Sequence, residues 1–87
     1  MFVVELAFDG NPERLKHRPA HRQRLEELRD AGRLVMAGPF ADDSGALLIF
    51  SVDTEAELSA LLDDDPYYGA PGVNVVRTQE WSPIVSV

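Results

Sequence analysis

At the start of the chain Phe2, Val4, Leu6 and Phe8 alternate with Val3, Glu5 and Ala7, the two-residue period of a strand that buries one face. Asp9, Gly10, Asn11 and Pro12 form a turn cluster, after which the spacing becomes helical up to a stop at Asp30 to Gly32. In that helix His21, Leu25 and Leu28 share one narrow arc, while Leu15 falls off it. Pro19 lies between the two parts, so the helix is expected to kink or restart near Arg18 and Pro19. Leu34, Val35 and Met36 begin a short second strand closed by Gly38 and Pro39, and the ADDSG loop leads into ALLIFSV as a third. Thr54 and Glu57 form a capping box that opens a second helix carrying Leu58, Leu61 and Leu62. This helix must finish before Pro66, which disfavours helical geometry at Asp65. From Val73 to Trp81 the alternation returns, with Val73, Val75 and Trp81 expected on one face and Asn74, Val76, Thr78 and Glu80 on the other.

The order β-α-β-β-α-β is that of the α+β, ferredoxin-like unit, in which both helices cover one face of a four-stranded antiparallel sheet. The other face is left bare, and on it Glu5 mixes with Val3 and Ala7, which suits neither open water nor a simple core. Two such sheets placed face to face would bury it and enclose a cavity between subunits, the dimeric α/β barrel. Size points the same way, because 87 residues are enough for a single domain, 1–87, but only for a marginal core. A homodimer is therefore expected.

Composition narrows the chemistry. The chain has no cysteine, which removes disulfides, thiolate metal sites and a cysteine nucleophile. MFVVELAF is apolar but carries Glu5 and no basic leader, and it meets Asp9 and Gly10 well before a membrane-spanning length. A cytoplasmic protein without a membrane partner is the expectation. The net charge of -7 opposes binding to phosphate backbones, and no aromatics interleave the basic residues, so nucleic acid is not an expected partner. Arg14, Lys16, Arg18, Arg22, Arg24, Arg29 and Arg33 nevertheless crowd one segment, while Arg77 is the one basic residue beyond it. That segment is either a solvated helix paired with Glu26, Asp30 and nearby acids or a surface that attracts a small anionic ligand.

Topology brings two distant residues within reach of each other. The first helix runs antiparallel to the second, so the start of one lies at the same end of the sheet as the finish of the other. His21 near the first and Asp65 just past the second can thus approach. In contact, the carboxylate would fix the imidazole tautomer and favour the protonated ring, leaving the other nitrogen to exchange a proton with substrate. The competing structural reading has His21 as a core histidine bonded to a backbone carbonyl and Asp65 as a helix terminator. The acidic run Asp63 to Asp65 is unfavourable at a helix C-terminus unless a cation such as His21 or Arg18 relieves it. His17 and His21, spaced i, i+4, make a weaker case for a metal, which Arg18 and Arg22 oppose, so no metal is expected. Ser44 lies in a polar turn where a serine usually bonds its own backbone. No glycine-rich phosphate loop or dinucleotide fingerprint is present, and no cofactor is expected.

RPAH at 18–21, GRLVMAGP at 32–39, and DDDPYY at 63–68 followed by Gly72 and Val73 occur in one order across the chain. Together they resemble the recurring blocks of the YciI-related (YCII) family of small dimeric α/β-barrel proteins. The resemblance implies a ferredoxin-like fold, a homodimer and a pocket built around a histidine and an aspartate, here His21 and Asp65. Arg18, Gly38, Pro39 and Tyr67 match neighbouring motif positions and are implied as substrate-binding candidates. Elimination of halide from a chlorinated aromatic is among the roles suggested for some members. The brief ADDSG loop departs from the longer glycine-rich insertion of others, so no substrate role carries over to Ser44. The expectation is a cofactor-independent enzyme that uses His21 and Asp65 for elimination or isomerisation of a small organic molecule. A non-catalytic ligand-binding or regulatory barrel is the alternative, and a cofactor-less monooxygenase is a third use of the architecture that no residue singles out.

Overall fold

The structure is a computed structural model describing residues 1–86. Strand β1 (Phe2–Phe8) is followed by helix α1 (Arg14–Asp30), strands β2 (Leu34–Pro39) and β3 (Gly45–Phe50), helix α2 (Glu55–Asp63), a 3-10 turn (Pro66–Gly69) and strand β4 (Val73–Glu80). The sheet order is β2-β3-β1-β4 with every neighbour antiparallel, which is the ferredoxin-like α+β arrangement. Among the described residues no helix is long and apolar enough to cross a membrane.

The core lies between the helices and one sheet face. Phe2, Val4 and Leu6 of β1 pack with Leu48 and Phe50 of β3, and Leu28, Leu58 and Leu61 descend from the helices. Pairing keeps these apposed, because Val4 faces Leu48 and Phe2 faces Phe50 across the ladder. Gly45 is required where β3 passes β1: a Cβ there would run into the backbone carbonyl of Leu6. Helix α2 starts as expected, with Thr54 Oγ1 accepting from the Glu57 N–H at 3.1 Å. The return half of the capping box is not seen among the described residues; Glu57 points instead to Arg33, 3.8 Å away.

Helix α1 does not restart at Pro19. It runs unbroken from Arg14 to Asp30 with Pro19 inside it. Pro19 is close enough to the N-terminus that its missing N–H removes a single rung of the ladder, which the packed helix tolerates. At the other end Gly32, at φ 76°, reverses the chain; its N–H bonds Arg29 O and the Arg33 N–H bonds Leu28 O, both orphan carbonyls of the last turn.

Strand β4 also departs from simple alternation. Glu5 pairs with Arg77 but Leu6 pairs with Val75, so Val76 is an extra residue in a bulge. Beyond it the side-chain parity is reversed. Trp81 consequently does not share the face of Val73 and Val75; it joins Val3, Glu5, Leu47, Arg77 and Gln79 around a shallow hollow on the bare side of the sheet.

Candidate functional site

The inward seam of α1 is formed by Arg14, His21 and Leu28, its three buried residues, each two turns from the next. Two of the three are polar, which a purely structural helix would avoid. The acid that meets them comes from the other helix. Pro66 holds Asp65 in an extended conformation, φ -119° and ψ 111°, so α2 ends before it and its side chain turns inward.

His21 and Asp65 do meet. Nδ1 of His21 lies 2.7 Å from Oδ2 of Asp65, and both side chains are buried. The other carboxylate oxygen, Oδ1, accepts the Tyr67 N–H at 3.0 Å and so caps the 3-10 turn. That cap lays the Tyr67 ring flat on the imidazole, with centroids 4.0 Å apart and planes 8° from parallel. Tyr68 closes the edge of the ring at 5.2 Å, and burial, followed by the nearby Asp65 charge, raises the pKa of its hydroxyl.

A carboxylate only accepts hydrogen bonds, so Nδ1 of His21 carries the hydrogen and the Nε2 lone pair is left over. Asp65 favours the protonated ring, as expected, through its hydrogen bond and its charge, but burial outweighs both and lowers the His21 pKa. The ring is therefore neutral at neutral pH, a base rather than an acid. Nε2 has no hydrogen-bond partner among the described residues, and no fully buried side-chain nitrogen or oxygen there lacks one, so Nε2 opens toward solvent.

The opening is a cavity of about 610 Å³ between α1 and β2, a volume suited to a small organic molecule. Arg18, His21, Gly38, Pro39 and Tyr67 line it, while Asp65 stands behind His21 and does not. Ser44 is not in the lining either; its N–H is bound to Asp42. The cavity lies on the helix-covered side of the sheet, so the pair does not open onto the bare face across which subunits were expected to enclose a site. Relief of the acidic run comes from Arg24, whose guanidinium lies 2.9 Å from Asp64, rather than from Arg18. Among the described residues no three His, Asp or Glu side chains come together as a metal site.

Arg14 was not among the expected site residues. It lines the same cavity, along with Arg22, Arg29, Glu26 and Asp43. The signal for it is the spacing 14, 21, 28, which sets it on the same stripe as His21 and Leu28.

The sequence profile of the YCII-related domain matches residues 1–82. Protein YciI of Escherichia coli O6:H1 and Protein YciI of Shigella flexneri are each 36% identical over 72 residues, spanning 71% of this chain and 74% of theirs. Among solved structures, 5-chloro-2-hydroxyhydroquinone dehydrochlorinase (TftG) from Burkholderia phenoliruptrix AC1100, in complex with 2,5-dihydroxybenzoquinone, superposes with a TM-score of 0.72. That match covers 94% of both chains at 21% identity, and it speaks to the fold.

Proposed function

Given that this chain belongs to the YCII-related family, we propose that it is a cofactor-independent acid–base enzyme acting on a small, anionic organic molecule, with His21 as proton carrier and Asp65 as its orienting partner. The observation that carries this reading is the 2.7 Å contact between Nδ1 of His21 and Asp65 beside an open cavity. Asp65 holds the hydrogen on Nδ1, so Nε2 takes a proton from a substrate carbon or hydroxyl. In an elimination the electrons left behind form a double bond as the leaving group departs with its own pair. In an isomerisation the imidazolium returns the proton to a different atom. The structural neighbour's name describes loss of hydrogen chloride from a chlorinated hydroxyhydroquinone, and a base of this kind is what such a step requires. Arg18, Gly38, Pro39 and Tyr67 are the proposed substrate contacts, and the guanidinium groups at the rim favour an anion.

We further propose that two chains pair through the bare sheet face, where Leu47, Met36 and Trp81 are exposed.

The test uses two probes: chloride release from 5-chloro-2-hydroxyhydroquinone, and uptake of solvent deuterium by 2,5-dihydroxybenzoquinone followed by proton NMR. The native chain is expected to accelerate at least one. His21→Ala and Asp65→Asn should reduce that rate at least a hundredfold, the usual worth of a positioned acid or base, while circular dichroism stays native. A His21→Ala protein that is folded and fully active would reject the assignment. Saturable binding of both compounds with neither exchange nor release would favour a ligand-binding barrel instead.

A further inference from the structure

Arg14 opens α1, yet its side chain is only 9% exposed. Its guanidinium carbon stands 3.9 Å over the Phe8 ring, and Nη1 lies 3.5 Å from the Tyr67 hydroxyl. The other arm, Nη2, donates to Oδ2 of Asp43 at 3.0 Å, and Asp43 is 62% exposed. All four side chains border the cavity. A cation in the wall is thus neutralised by a carboxylate that reaches in from the loop between β2 and β3.

The two partners are held very differently. Arg14 is buried, with its guanidinium over the Phe8 ring on one face, and a guanidinium so placed needs an anion. The Asp43 carboxylate makes no other hydrogen bond among the described residues, and an ion pair with one exposed partner contributes little. Tyr67 links this ion pair to the base, because the same ring that lies on His21 carries the hydroxyl near Arg14. Along the helix the two residues are two turns, or about 10 Å, apart, the length of a small substituted ring.

We infer that Arg14 is the oxyanion seat of the cavity and that Asp43 is its resident occupant, displaced when a small planar substrate bearing a carboxylate or an ionised hydroxyl enters. This rests on reading the cavity as the substrate site. Arg14 selects for the anion, and Asp43 sets a threshold that neutral molecules do not cross because they offer nothing in exchange. A pin that merely holds the loop would use the same contact but would not compete with a ligand.

Benzoate and its neutral counterpart benzamide, titrated at constant ionic strength into the isotope-labelled full chain, separate the two. Benzoate is expected to shift the His21 and Tyr67 amide signals, and benzamide is not. Asp43→Asn should tighten benzoate about three- to tenfold, the amount set by removing a weak competing ion pair. Asparagine tolerates the left-handed φ of 59° at this position, so the loop is kept. Arg14→Lys retains the charge but loses the planar fork, and should weaken benzoate about tenfold. Benzoate affinity unchanged in a folded Asp43→Asn chain would overturn the inference while leaving the His21 site intact. The same gain from Asp43→Asn in a His21→Gln background, together with failure of the turnover test, would leave the seat standing without the proton carrier. Benzoate that binds nowhere, or shifts only signals remote from the cavity, would overturn the inference, while the turnover test decides the proton carrier separately.

Discussion

A histidine bonded to a carboxylate is ordinarily easier to protonate, and at His21 the opposite holds. Burial of the ring opposes its charge more strongly than Asp65 supports it, so the folded chain takes up this proton at lower pH than an unfolded chain, whose imidazole titrates near 6.5. Between those two values the unfolded state holds more protons. The contribution to stability is complete above pH 6.5 and is lost as the pH falls toward the folded value. Chemical denaturation from pH 8 to 5 should therefore show the native chain weakening below about 6.5, and His21→Gln should flatten that part of the curve. Turnover should fall over the same acidic range as the base becomes protonated. The meeting of His21 with Asp65 was legible because antiparallel helices bring the start of one to the finish of the other, and Pro66 marks that finish. The protonation state was not, since it depends on how far the Tyr67 and Tyr68 rings exclude water. Arg14 was hidden by its basic neighbours: nothing in the run from Arg14 to Arg33 says which arginine turns inward until the stripe through His21 and Leu28 is traced.

Secondary structure followed its local signals closely where those signals are self-contained. Thr54 begins α2, Pro66 forbids it to continue, and Gly32 ends α1. Pro19 does not restart the helix because its cost depends on position: near the N-terminus one lost rung is offset by docking of the seam. The bulge at Val76 was invisible because it belongs to the pairing of β4 with β1, not to β4 alone. The close approach of β3 to β1 at Gly45 offers a direct check. Gly45→Ala drives a methyl into the Leu6 carbonyl, so urea unfolding should show a loss of about 2–3 kcal/mol. Gly38→Ala, where a methyl would meet nothing within 4 Å, is the control and should stay within about 0.5 kcal/mol of native.

Helices protect one side of the sheet, and among the described residues no element covers the other. On that bare side Trp81 is 43% exposed and Met36 57% exposed, and Glu5 stands opposite Arg77. A mixed surface of this kind suits self-association across a two-fold axis, where each charged group can meet its counterpart on a second copy. Sedimentation equilibrium is expected to give twice the chain mass for the native protein and the single mass for Trp81→Glu, which buries a charge at the contact. A native chain that sediments as a monomer at every concentration would remove the dimer proposal. The cavity lies on the far side of the sheet from this surface, so the Trp81→Glu monomer should still bind benzoate.

One carboxylate, through Oδ1 and Oδ2, serves both the turn that carries Tyr67 and the ring that faces the cavity. Replacing it by a carboxamide separates these services. The amide oxygen can keep the turn, but the amino group set against Nδ1 is itself a donor, and the imidazole must answer with a lone pair. Its hydrogen then moves to the nitrogen facing the cavity, and a group built to receive becomes one that gives. Alanine at the same position instead frees the turn and the ring together, so the two replacements at Asp65 damage the protein in different ways.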